Sequence, residues 1–152
     1  MISNKISNNV VRNNSLVLSN MYILIKKCSI FNTREKDMLK IELEFRKGIL
    51  FVRLNGKLNK YTKNKLDEEV LPVILKHGIV NLVINLDKLT SIDTYGINAL
   101  ININSVVYSL NGKLIVCSIS NDEVKNKLNN KEYVSKFYEV SNELMALEVI
   151  NI

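Results

Sequence analysis

The chain has 152 residues, 47% of them hydrophobic and 24% charged, with one proline and five glycines, the balance of one globular domain and not of a disordered or fibrous chain. No apolar run reaches the ~20 residues of a membrane-spanning helix, and no small-residue cleavage pattern follows the apolar patches near the N-terminus, so neither a membrane span nor a secretory leader is expected and the compartment read is the cytoplasm. The net charge of +6 can favour an anionic partner, but the lysines are scattered among Asp and Glu in a chain rich in Asn, Lys and Ile, which the codon bias of an AT-rich genome explains without direct nucleic-acid binding.

Residues 1–37 are rich in Asn and Ser and carry no motif. Three readings stay open for them: a disordered leader, an edge strand added through Tyr22–Ile30, or upstream sequence not normally translated. The domain is expected to span 38–152. From Leu39 to Phe45 apolar and charged residues alternate, which is a half-buried strand. Lys47-Gly48 is a tight turn signal and Ile49–Leu54 a second strand, so the pair reads as an antiparallel hairpin. Asn59 or Thr62 can then cap a helix with an apolar face of Leu66, Val70, Val73 and Ile74. Pro72 lacks an N–H and should kink or interrupt it, and His77-Gly78 should end it. His77, the single histidine, reads as a helix-end surface residue and not a catalytic base.

Ile79–Leu86 is apolar almost throughout, the pattern of a strand buried on both faces. A helix from about Thr94 to Leu110 follows, with apolar residues at Ile97, Leu100, Ile101 and Val107. Asn111-Gly112 turns into a strand at Lys113–Cys117. Ser120-x-x-Glu123 has the capping-box form and opens a helix to about Asn130. Tyr133–Tyr138 is expected as the last strand, and Ser141 as the cap of a C-terminal helix through Leu144, Leu147 and Ile150. The order β-β-α-β-α-β-α-β-α predicts an α/β domain with a mixed, mainly parallel sheet of about five strands, an N-terminal antiparallel hairpin and about four helices.

The stretch Asp93-Thr94-Tyr95-Gly96 lies where the buried strand passes into a helix. In open α/β sheets that edge meets ligands and partners, and a helix N-terminus favours negative charge. Thr94 is therefore placed to carry a phosphate, or else only to cap the helix. There is no phosphate-cradling Gly-Lys-Ser/Thr loop, no dinucleotide glycine motif and no nucleophile elbow. No histidine pair has metal spacing, so no catalytic residue, metal or cofactor is expected. Asp87 and Asp93 flank the motif, and capping or loop hydrogen bonding accounts for them better than acid–base work. Cys28 and Cys117 are far apart, and Cys117 lies in an apolar strand, the setting of a core thiol.

From about Leu39 to Ile150 the residues and their order resemble the STAS domain of bacterial anti-anti-sigma factors, of the sporulation and general-stress type. Leu54-Asn55-Gly56-Lys57-Leu58-Asn59 takes the place of the family's Leu-x-Gly-Glu-Leu-Asp. Asp93-Thr94-Tyr95-Gly96-Ile97 takes that of Asp-Ser-Ser-Gly-Leu. The Gly112 turn into Leu114-Ile115-Val116-Cys117 matches a third element. The resemblance implies a partner switch: the protein binds an anti-sigma factor that is also a serine/threonine kinase and so frees a sigma factor. The kinase phosphorylates the hydroxyl after the motif's Asp, and a phosphatase removes the phosphate. Carried over, Thr94 is the acceptor, and Asp93, Tyr95, Gly96, Lys57 and Asn59 belong to the partner-binding face.

Three departures accompany the resemblance. Thr stands for Ser at the acceptor, Tyr95 adds bulk beside it, and Lys57 and Asn59 replace two acidic residues. The face is more basic than the family pattern, so its partner should be more acidic. A second reading keeps the fold as a scaffold or sensor subunit of a signalling or cell-envelope complex without kinase control.

Overall fold

The computed structural model describes residues 38–151. Strand β1 (Leu39–Arg46) and strand β2 (Ile49–Leu58) form the expected hairpin. Its two connecting residues, Lys47 at φ 52° and Gly48 at φ 77°, are both left-handed. That is the primed turn whose twist matches that of the strands it joins. Helices α1 (Lys63–Glu69) and α2 (Leu71–His77) follow. Pro72 is the second residue of α2, so the expected interruption falls two residues before it, at Val70. Gly78, left-handed at φ 61°, closes α2. Asn59, not Thr62, supplies the capping oxygen ahead of α1: its Oδ1 accepts from the N–H groups of Tyr61 at 2.9 Å and Thr62 at 3.2 Å.

Strand β3 (Asn81–Ile92), helix α3 (Thr94–Ser109), strand β4 (Lys113–Cys117), helix α4 (Asp122–Leu128), strand β5 (Tyr138–Val140) and helix α5 (Glu143–Asn151) complete the order. The five strands lie side by side in chain order, β1-β2-β3-β4-β5. Only β1 is antiparallel to its neighbour. Right-handed crossovers between parallel strands laid down in sequence all fall on one face of a sheet. The rows Leu50–Leu82–Leu114 and Val52–Ile84–Val116 fill that face and are buried.

The other face carries Ile49, Phe51, Val83, Ile115 and Cys117, packed with Ala146 of α5. Burial pushes the Cys117 thiol up to about 11, as expected for a core thiol. Cys28 lies outside the described residues, as do all the readings of residues 1–37.

Beside α5, on β1 and β2, the same face is polar and centred on Arg53. Its guanidinium donates to Glu143 at 2.7 and 3.0 Å, to Glu44 at 2.7 Å and to Glu42 at 3.2 Å. Asn85 donates to Glu143 at 2.8 Å. The bidentate bond from Arg53 holds the Glu143 carboxyl below its ordinary range, against an opposing desolvation. A carboxylate whose folded pKa is depressed adds stability that is present above the unfolded value, about 4.3, and lost as pH falls through the folded one. Glu143→Gln is therefore expected to lower stability by about 1 kcal/mol at pH 7. Urea denaturation across pH should show that deficit shrinking below pH ~4. A deficit constant down to pH ~3 would show that the carboxylate's charge is not what holds α5.

Four expectations change. Strand β3 runs six residues past Leu86 because its second half pairs with Asn55–Leu58, with one irregularity in register before Asn55 and another after Gly56; the exposed Asp87, Lys88 and Thr90 end the apolar run before the strand ends. Residues 133–136 are turns, not strand, tied by bonds such as Tyr133 N–H to the Asn130 carbonyl at 2.9 Å. Their apolar side chains, with Phe137, line a hollow against Val116, Ile119 and Leu128 instead of joining the sheet, and β5 is only three residues long. Asn121, not Ser120, caps α4, its Oδ1 accepting from Val124 N–H at 3.1 Å. Asn142, not Ser141, accepts from Met145 N–H at 2.9 Å ahead of α5.

Candidate functional site

The lengthened β3 ends beside the end of β2, with Lys57 opposite Ser91 and Leu58 opposite Ile92. The chain leaves β3 at Asp93, whose N–H donates to the Leu58 carbonyl at 3.2 Å. Asp93 is extended at φ −113°, ψ 179° and caps α3: its Oδ1 accepts from Gly96 N–H at 2.8 Å. Its Oδ2 accepts from Lys60 N–H at 3.0 Å. One carboxylate thus pins both loops that rise from these strand ends.

Because Asp93 makes the cap, Thr94 is the first residue of α3 and not its cap, and its side chain is exposed. Tyr95 beside it is 50% exposed and Tyr61 on the facing loop 81%. Gly96 is buried. A Cβ there would collide with the Leu58 carbonyl oxygen and meet Leu58 C and Cγ at 2.9 Å. The residue type follows from how closely α3's first turn approaches the end of β2.

Lys57 is exposed at the same edge. Asn59 is half-buried and its amide oxygen is engaged within the turn. The fold therefore gathers Lys57, Asn59, Asp93, Thr94, Tyr95 and Gly96 at one sheet edge. Asp87 does not flank a loop with Asp93, since strand joins them. It accepts from the Ser120 hydroxyl at 2.5 Å, while its own N–H donates to Asn85 Oδ1 at 2.9 Å. Among the described residues no group of three His, Cys, Asp or Glu could hold a metal ion, and no helix is long and apolar enough to cross a membrane.

Two lysines at this edge were not singled out in the sequence. Lys60 places its Nζ 5.9 Å from the centroid of the Tyr95 ring. Lys127 of α4 donates to the Ile92 carbonyl at 2.9 Å and to Glu123 at 2.6 Å. The Glu123/Lys127 spacing of four is legible as a helical ion pair. The bond to Ile92, 35 residues away, has no local signature.

A family model described as the STAS domain matches residues 40–145. The anti-sigma F factor antagonist of Paenibacillus polymyxa is 26% identical to the chain over 82 residues, which is 54% of this chain and 70% of that protein. Among solved structures, a candidate anti-sigma factor antagonist of Thermotoga maritima superposes with a TM-score of 0.69 at 18% identity, covering 74% of this chain and 95% of that one. The anti-sigma factor antagonist SpoIIAA in its unphosphorylated form superposes with a TM-score of 0.57 at 14% identity, covering 75% and 98%.

Proposed function

Because the chain belongs to the STAS domain family, we propose that it acts as an anti-anti-sigma factor. It binds an anti-sigma factor that is also a serine/threonine kinase, so releasing a sigma factor in the cytoplasm, and it is switched off by phosphorylation of Thr94 until a phosphatase removes the group. The observation that carries the reading is the exposed Thr94 at the first position of α3, beside Tyr95, at the sheet edge where Lys57 is also exposed.

A phosphate at Thr94 adds about −1.5 to −2 charges. The N–H groups and dipole of the 16-residue α3 favour that charge, so the fold tolerates it. The cost falls on the partner, whose contact surface meets a hydrated dianion. Like-charge contact and lost fit cost several kcal/mol in an interface, enough to break a complex.

The test is to incubate the protein with ATP and the anti-sigma kinase it binds, then map phosphate by mass spectrometry. Phosphate on Thr94 is expected. Phosphate only elsewhere, or none with an active kinase, leaves the fold as an unregulated scaffold.

Lys57 supplies a second check on the same face. Lys57→Glu is expected to slow association with an acidic partner by up to about tenfold at low ionic strength, with stability within about 0.5 kcal/mol. Stopped-flow rates across a salt series read this directly. Identical rates for the two proteins would remove Lys57 from the interface.

A further inference from the structure

We infer that Lys60 and Lys127 receive the phosphate of phosphorylated Thr94, and that Lys60 leaves the ring of Tyr95 to do so; this rests on the phosphoacceptor reading above. Two ammonium groups from two different segments contact the chain on either side of Thr94, Lys127 at the Ile92 carbonyl and Lys60 at the Tyr95 ring. Lys127 Nζ donates to the Ile92 carbonyl at 2.9 Å, from the side of α4. Thr94 lies two residues on, so its Cα is within about 8 Å of that of Ile92. An ammonium has three N–H donors. Ile92 and Glu123 take two of those of Lys127, and the third can donate to a phosphate oxygen.

From the other side, the Lys60 backbone is anchored to Asp93 at 3.0 Å while its Nζ rests 5.9 Å from the Tyr95 ring centroid. An exposed cation–π contact is weaker than a charge-assisted hydrogen bond to a dianion. A phosphate between Asp93 and Tyr95 therefore outcompetes the ring. Lys57 adds a third positive charge at this edge.

Two groups act in the opposite sense. The Asp93 carboxylate already accepts from Gly96 and Lys60 N–H groups, and Glu123 is matched by Lys127. They offset the formal charges of Lys60 and Lys127, so what the two lysines bring to a phosphate is N–H donors already at hand, and the net positive charge at the edge is that of Lys57. Phosphorylation would then do more than add charge: it would strip the cation from Tyr95 and so change the aromatic surface shown to a partner.

The experiment is a 31P NMR titration of the full chain with phosphothreonine installed at position 94 during translation. The second phosphate pKa is expected about one unit below that of the same chain unfolded in urea. Lys60→Met and Lys127→Met should each return about half of that shift, and Lys60→Arg should restore it. Lys47→Met, at the far end of the hairpin, should leave it unchanged. Tyr95 ring resonances should move on phosphorylation in the wild type and stay in place in Lys60→Met. A second pKa equal in the wild type and in folded Lys60→Met overturns the inference. Since the phosphate is installed without a kinase, failure of any kinase to modify Thr94 would sink the functional reading and leave this titration to stand or fall alone.

Discussion

Thr94→Ala should bind its anti-sigma partner equally well with and without ATP, whereas Thr94→Glu should bind at least about tenfold more weakly, a loss of about 1.4 kcal/mol. The alanine removes the only atom at this position that a kinase can modify. It removes no hydrogen bond that holds the site, because the cap of α3 is made by Asp93. The glutamate places one negative charge where phosphate would place nearly two, so its effect should be smaller than that of phosphorylation. Its stability should not fall, since a carboxylate in the first turn of a helix is favourable by roughly 0.3–1 kcal/mol. Calorimetric titration of the three proteins, beside their thermal melts, separates binding from folding. Wild-type affinity in a folded Thr94→Glu would mean that partners do not touch this helix end.

Gly96→Ala should lower stability by about 2–4 kcal/mol, although alanine is the better helix former by about 0.8–1 kcal/mol. Propensity and packing give opposite signs here, and geometry decides between them. The added methyl would strike the Leu58 carbonyl oxygen, a backbone atom paired within the sheet that has little room to yield. To relieve the contact, α3 must lift from the end of β2. That strains the bond from Asp93 N–H to Leu58 and the one from Lys60 N–H to Asp93 Oδ2, so the loops separate as well. Urea denaturation gives the stability, and a partner-binding assay gives the effect on the site. A gain near 1 kcal/mol would show that the turn can shift at no cost.

Much of the fold was legible because its signals are local. The alternation from Leu39 to Phe45, the Lys47-Gly48 turn and the apolar Leu114–Cys117 each declare a strand within a few residues. The motif at 93–96 announced its strand-to-helix passage in the same way. What escaped depends on distant partners. The second half of β3 is strand because β2 extends alongside it past the bulges, not because Asp87, Lys88 and Thr90 favour the state. Tyr133, Val134 and Phe137 have strand-like composition, yet a hollow beside α4 accommodates them in turns. The caps moved by one residue because Ser120-Asn121 and Ser141-Asn142 each offer two good capping side chains. Lys60 and Lys127 were missed at the site because the contacts that bring them there, to Tyr95 and to Ile92, are made across the chain and leave no spacing to read.

The order of the strands has a consequence for synthesis on the ribosome. Each strand lies next to the one before it in the chain, so every newly emerged β-α unit finds the edge it needs already built. The sheet can grow outward from its hairpin without waiting for a later segment to be inserted between finished strands. The reverse face matures on a different schedule. Ile49, Phe51, Val83, Ile115 and Cys117 gain their packing against Ala146 only when α5, which follows every strand in the chain, is released. Until then the nascent chain carries a nearly complete sheet whose apolar cluster still lacks its covering helix.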